Sequence, residues 1–426
     1  MKLATTNTSM NTFKPWLIVG LLFIIAMLNY IDRTMITTMR GSIVGSIPMT
    51  DAHFGLLTAV FLWVYGLFSP LAGFLADRYS KSKIILFSLF VWSLVTWMTA
   101  YASSFEELLM TRALMGISEA CYIPAALSLI MDYHKGPTRS LATGIHMAGI
   151  MAGQSLGFLG GWLAENHTWN YAFTILGIFG ICYASIIFFF LKDAPDKETI
   201  IEERQEPKVN FLQSLRVLFS NFSFICIVLF FGLISIVSWL IVGWLPTYFQ
   251  ERFQLSQTQA GIYSTGYVFT SAIAGVLLGG FLTDLWSRKN ANARIYVPFI
   301  GLCIAAPAIF LANYSPLLSI SLLCFMLYTF CKSFVDTNTM PILSMTVDNR
   351  YRATGYGILN FFGTLVGGFG LYFGGALRDS NMELSTIFKF ASVLIVLAAI
   401  ALYLVRPGKK QIGKESTPHI KLNLSK

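Results

Sequence analysis

GFLADRYSKSK (73–83) returns as GFLTDLWSRKN (280–290), at a constant offset of 207 residues. The glycine, the Phe-Leu pair, the aspartate, the serine and a following base all coincide. A second echo pairs LATG (141–144) with RATG (352–355). Self-similarity at a fixed offset marks two copies of one structural unit. Each copy of the longer motif follows the second long apolar run of its half, so the unit is a set of membrane-length segments.

Composition requires the same solvent. Hydrophobic residues make up 55% of the 426 and charged residues only 12%, against about 25% charged in a soluble domain. Apolar runs of about 20 residues, enough to cross a ~30 Å hydrocarbon core, define twelve spans: 16–39, 54–76, 84–102, 107–131, 141–164, 170–191, 222–249, 258–284, 295–312, 316–347, 353–377 and 386–405. The span at 316–347 is too long for one straight crossing, so it must tilt, kink near Pro341 or lose a turn. The side that holds both termini carries 23 of the 30 Lys and Arg residues, whereas the opposite loops carry only Arg40, Arg252 and Arg378. The positive-inside rule therefore places both termini in the cytoplasm. The +9 net charge is then a topology signal rather than a nucleic-acid patch. The expected fold class is an all-α membrane protein of two pseudo-symmetric six-helix bundles, 1–191 and 222–405. A charged cytoplasmic linker (192–221) joins them and a cytoplasmic tail (406–426) follows. Residues 210–221 of the linker read as an amphipathic surface helix. Short external loops favour a bacterial inner membrane.

This organisation resembles the major facilitator superfamily along essentially the whole chain. The resemblance implies a substrate site near midplane between the halves. Its loop signature maps onto Gly73, Asp77 and Arg78, and in the second half onto Gly280, Asp284 and Arg288. These residues are expected to latch the halves in one state. Glycines recur every fourth residue at Gly149, Gly153, Gly157 and Gly161, and again at Gly363 and Gly367 and at Gly370 and Gly374. Such stripes let helices approach closely, either as static packing or as a sliding surface.

Charges inside the bilayer are costly and mark function by default. Span one carries NYIDR (29–33) and span four RALMGISEA (112–120). Arg112 and Glu119 are two turns apart and share a helix face. Arg33 lies about 25 Å along its span, Arg112 about 9 Å and Glu119 about 20 Å from the opposite side, so the charges converge on one level. With Asp32 they sum to zero. An arginine fork binds a carboxylate bidentately, and a carboxylic acid in a low-dielectric cavity can take up and release protons near neutral pH. The alternative is a buried structural cluster joining the two spans.

These residues resemble the anion:cation symporter family, which includes sugar-acid and hexuronate transporters, sialin and the vesicular glutamate transporters. The resemblance implies that Arg33 anchors substrate, Asp32 and Glu119 carry protons, and Arg112 couples them. Tyr30 and Tyr65 match cavity tyrosines, and Asn360 of NFFG (360–363) matches a residue that bonds substrate hydroxyls. Span ten adds Lys332 and Asp336 one turn apart, with Asp336 five residues before Pro341 as Glu119 is before Pro124. Together with Asn338 they form a candidate second cavity wall, or else a self-neutralised pair. His146 is a candidate relay or a hydrogen-bonded packing residue.

The six cysteines and five histidines show no metal-ligand spacing, and no nucleotide-binding or nucleophile motif occurs. The expectation is therefore a transporter without catalytic residues, metal or cofactor, driven by the proton gradient, acting as a monomer on a small organic anion. The runner-up is a lysolipid or amphiphile exporter resembling the Spinster family, and uptake of another nutrient such as an amino acid stays open. For topology, a fluorescent reporter fused after Lys426 should be bright and an alkaline phosphatase fused there silent. The reverse pattern contradicts the orientation.

Overall fold

A backbone in lipid must satisfy its own hydrogen bonds, which leaves helices as the means of crossing. The computed structural model describes residues 13–134, 138–194 and 211–406, and it contains no strand among them. The tail from 407 and linker residues 195–210 lie outside the described residues. The first half comprises α1 (Phe13–Thr38), α2 (Arg40–Ser46), α3 (Asp51–Arg78), α4 (Lys81–Thr99), α5 (Phe105–Ala120), α6 (Tyr122–Tyr133), α7 (Arg139–Ser155), α8 (Phe158–Asn166) and α9 (Trp169–Ile187). A short surface helix, α10 (Phe211–Phe219), precedes the second half. That half holds α11 (Phe222–Phe253), α12 (Gln257–Gly261), α13 (Val268–Ser287), α14 (Ala293–Tyr314), α15 (Leu318–Thr346), α16 (Arg352–Asp379) and α17 (Leu384–Tyr403).

Among the described residues, twelve crossings result. Eleven are long and apolar enough to span a membrane as continuous runs, with α5–α6 and α12–α13 each counted as one. The twelfth is α7 with α8, interrupted between Ser155 and Phe158 in a stretch whose glycines weaken helix propagation. The α5–α6 break falls at Cys121, three residues before Pro124, where proline removes a backbone donor. The long tenth crossing, α15, stays one helix with Pro341 inside it. Side chains start several helices by accepting exposed backbone N–H groups: Thr50 from His53, Ser104 from Glu107 and Thr168 from Tyr171. Ser80 does the same for Lys83 at the head of α4, with a φ of −55°.

The glycine stripes close helices mainly within each half, although Gly161, the last of the first stripe, meets the Gln257 backbone of α12 across the halves. A Cβ at Gly149 would lie 2.5 Å from the Phe23 carbonyl oxygen of α1, and one at Gly363 2.6 Å from the Phe231 ring of α11. They seat α7 against α1 and α16 against α11. Other glycines meet across the halves: Gly55 faces Leu371 and Tyr372, Gly66 faces Thr364, and Gly368 faces Trp63.

The halves touch mainly at the face opposite the termini. There Arg378 donates to Asp51 at 2.8 Å and to both carboxylate oxygens of Glu251 at 2.8 and 2.7 Å. Arg40 also pairs with Asp51. The Asp379 carboxylate accepts the N–H groups of Asp51 and Ala52 at 2.9 Å each, capping α3 from the other half. Glu165 caps Thr258 at 2.8 Å, and Gln257 exchanges hydrogen bonds with Ser42. Two of the three arginines that the charge asymmetry left on this side thus form the gate. Toward the terminus-bearing face the halves separate. Leu67, Leu71 and Phe74 of α3 and Phe361 of α16 are exposed, and Gly73, Gly144, Gly280 and Gly357 have open space beside them. The structure is closed at one face and open at the other.

Partly exposed charge pairs of this kind contribute about 1 kcal/mol each. Arg378→Ala should therefore raise the population open at the gate face several-fold. Spin-label distances between the gate-face ends of α3 and α16 should lengthen in that variant, and an unchanged distribution contradicts the gate.

Candidate functional site

Arg33 sits on α1 about 7.5 Å from its gate-face end and is buried. Its Nε donates to Glu119 Oε2 at 2.7 Å, and the two side chains are 4% and 0% exposed. Three aromatic rings surround the guanidinium, with centroids at 4.7 Å for Tyr30, 4.9 Å for Phe61 and 4.6 Å for Tyr65. Tyr30 lies one turn before Arg33 on α1, while Phe61 and Tyr65 are one turn apart on α3. The period of 3.6 residues thus places a ring on either side of the cation. The sequence singled out both tyrosines but not Phe61. Its spacing of four from Tyr65 was the available signal.

Asp32 points away from Arg33, as consecutive helix residues must. It accepts from Thr96 Oγ1 of α4 at 3.2 Å. Arg112 of α5 donates to the Asp32 backbone carbonyl at a long 3.5 Å, and its guanidinium lies 5.4 Å from the Phe173 ring of α9. The four charged groups expected from spans one and four are therefore neighbours, with Arg33–Glu119 the direct ion pair. Thr96 and Phe173 carried no charge or motif and were invisible in the sequence. Both buried arginines keep donors with no hydrogen-bond partner among the described residues: Nη2 of Arg33, and Nε and Nη2 of Arg112. Arg33 and Arg112 also line the same cavity of about 20 Å³, with Thr37, Thr58, Phe61 and, from the second half, Trp239, Val242, Gly243 and Leu371. That volume holds roughly one water, so the site is sealed on the gate side by residues of both halves.

Other expected residues sit apart. Asn360 is exposed on α16 where the halves separate. Lys332 Nζ contacts both Asp336 carboxylate oxygens at 2.9 Å. Asn338 is buried and donates to Thr283 of α13 at 3.0 Å, so its side chain ties α15 to α13 instead of joining that pair. His146 Nε2 lies 3.0 Å from the Tyr122 hydroxyl, which donates to the Leu22 carbonyl at 2.8 Å. This is a buried join between α1, α6 and α7.

Of the loop residues, Gly73 and Gly280 face open space and Arg78, Asp284 and Arg288 are exposed. The Asp77 side chain lies outside the described residues. No ion pair links Arg78, Asp284 or Arg288 to another element among the described residues, in keeping with separation at that face. The first loop is tied within its own half, where Asp193 accepts the Ser82 N–H at 2.8 Å and Lys81 pairs with Asp132. No group of three or more His, Cys, Asp and Glu suited to a metal occurs among the described residues.

The Major Facilitator Superfamily model matches residues 22–370 and 238–426. Protein spinster homolog 1 of Xenopus tropicalis is 27% identical over 312 residues, which is 69% of this chain and 59% of that protein. The match thus spans less than two thirds of that relative. Two bacterial relatives match nearly end to end. The probable sulfoacetate transporter SauU of Cupriavidus necator and the hexuronate transporter of Bacillus subtilis are each 24% identical, over 92% of this chain and 94% of theirs. A crystal structure of a bacterial homolog of the human lysosomal transporter Spinster, inward-facing and unoccupied, superposes with a TM-score of 0.77 at 23% identity. It covers 92% of this chain and 97% of that one. With twelve crossings in two repeated halves, the chain belongs to the Major Facilitator Superfamily and is related to both sugar-acid transporters and Spinster proteins.

Proposed function

We propose that this chain carries a small organic anion across the membrane together with protons, by alternating access between the two faces. One observation carries the reading. Arg33 and Arg112 are both buried, line one cavity and retain guanidinium donors with no hydrogen-bond partner among the described residues. A buried unpaired donor costs about 1–3 kcal/mol and more on a charged group, and an entering carboxylate removes that cost. The names of the two end-to-end relatives, a sulfoacetate and a hexuronate transporter, support an anionic cargo.

Coupling follows from how Arg33 is held. Its Nε is committed to Glu119, so a substrate carboxylate competes with the Glu119 carboxylate for the same cation. Protonation of Glu119 weakens its hold on Arg33 and leaves the guanidinium for the substrate. Loss of that proton draws Arg33 back and expels the anion. Asp32, beside Thr96, is the second candidate proton carrier, and Arg112 senses both carboxylates. Tyr30, Phe61 and Tyr65 hold Arg33 in place while its partner changes. Asn360, on the open wall of the second half, is positioned for a substrate hydroxyl. The loop residues Gly73, Asp77, Arg78, Gly280, Asp284 and Arg288 would close the terminus-bearing face in the opposite state. By the positive-inside rule that face is cytoplasmic, which makes the described state inward-open. The protein would work as a monomer in a bacterial inner membrane, with the proton gradient in place of a cofactor.

Uptake of a carboxylate panel into proteoliposomes under an imposed pH gradient tests this. Arg33→Ala should abolish uptake and exchange, a loss of at least about 100-fold. Glu119→Gln should lose gradient-driven accumulation while keeping exchange. Saturable lysolipid transport with no carboxylate uptake would contradict the reading and favour the amphiphile exporter.

A further inference from the structure

We propose that Lys332 is a second anion anchor, and that the cargo is a dianion whose two negative groups bridge Arg33 in the first half and Lys332 in the second. This inference rests on the anion reading above and specifies its substrate class. The helix α15 is packed on two sides. Phe330 and Phe334 meet Gly275 and Gly279 of α13, Cys331 meets Gly301 of α14, and Asn338 bonds Thr283 of α13. Lys332 and Asp336 lie on the remaining face. Tyr328, one turn from Lys332, lies beside Ser238 of α11 and within electrostatic reach of Asp336. The residue after Ser238 is Trp239, which lines the cavity of Arg33 and Arg112. The two ion pairs therefore flank one helix at the centre of the molecule. Lys332 lies about 21 Å from the terminus-bearing end of α15, as Glu119, the partner of Arg33, lies about 21 Å from that end of α6.

The two pairs differ in how firmly they hold. Arg33 and Glu119 are 4% and 0% exposed, whereas Lys332 and Asp336 are 20% and 44% exposed. A solvated pair one helical turn apart returns only a few tenths of a kcal/mol. A charged residue at membrane depth costs more than that. The pair is therefore not retained for stability. Its cation is easily released to a better partner. No other anion of the described residues pairs with Lys332.

Bridging gives the second anchor its role. A ligand shifts a conformational equilibrium only through contacts that differ between the states. An anion held by Arg33 alone engages one half and leaves the closing motion unassisted. A dianion with one end on Arg33 and the other on Lys332 draws the halves together over the cargo. Displacement of Asp336 from Lys332 mirrors displacement of Glu119 from Arg33, and Asp336 and Glu119 occupy equivalent places before Pro341 and Pro124 in the repeat.

The test is uptake of glucarate and gluconate, six-carbon polyhydroxy acids that differ by one terminal carboxylate, into proteoliposomes holding the full chain. Wild type should prefer glucarate by KM. Lys332→Met should lower that preference about tenfold, Lys332→Arg should restore part of it, and Asp336→Asn, which frees the cation, should increase it. Equal KM values in wild type, or a preference unmoved by both Lys332→Met and Asp336→Asn, overturn the inference while leaving the anion reading intact. Wild-type protein that transports neither acid nor any other carboxylate overturns both.

Discussion

A guanidinium that cannot leave its charge behind must be accommodated inside a bilayer, and the centre of this protein is built around that constraint. Arg33 stays ionised under all working conditions. Glu119 supplies a counter-charge at 2.7 Å, and Tyr30, Phe61 and Tyr65 supply ring faces within 5 Å. The rings are apolar enough to pack and still attract a cation, so Arg33 keeps its position when its anionic partner changes. A second carboxylate in place of Tyr65 would have held the cation more tightly and left nothing for a ligand. The unpaired nitrogens of Arg33 and Arg112 belong to the same design.

The remaining architecture decides who can reach that cation. At the gate face, Arg40, Asp51, Glu251 and Arg378 form a charged cluster across the halves, and Asp379 caps α3. Close approach of Gly55, Gly66 and Gly368 to the opposite half continues the seal inward. Trp239, Val242, Gly243 and Leu371 then leave space for roughly one water beside Arg33. The charged contacts among these are individually weak and partly exposed. That suits an interface that must open and close.

The sequence displayed the fold more completely than the site. Twelve crossings could be read because lipid demands long apolar helices, and the repeat of GFLADRYSKSK showed that they form two halves. The breaks inside single spans, at Cys121 between α5 and α6 and between Ser155 and Phe158 in α7–α8, needed coordinates. At the site, charge was the legible signal: Asp32, Arg33, Arg112 and Glu119 stood out because charge is rare at that depth. Neutral partners were not legible. Phe61, Thr96 and Phe173 resemble dozens of other membrane residues until the helices that bear them are brought beside Arg33, Asp32 and Arg112. Asn338 shows the converse error of pattern reading. It shares a polar stretch with Asp336, yet its place on α15 turns it toward Thr283. The gate was hidden for a different reason, since Arg40 and Arg378 served the topology argument as the few exceptions on their side.

The central claim is that anion and proton share Arg33 through Glu119. Its most direct test is the internal pH of wild-type proteoliposomes, read with a trapped dye, when carboxylate is added outside with no imposed gradient. The account predicts internal acidification that tracks carboxylate entry and disappears in Glu119→Gln. Carboxylate entry with no change in internal pH would contradict it.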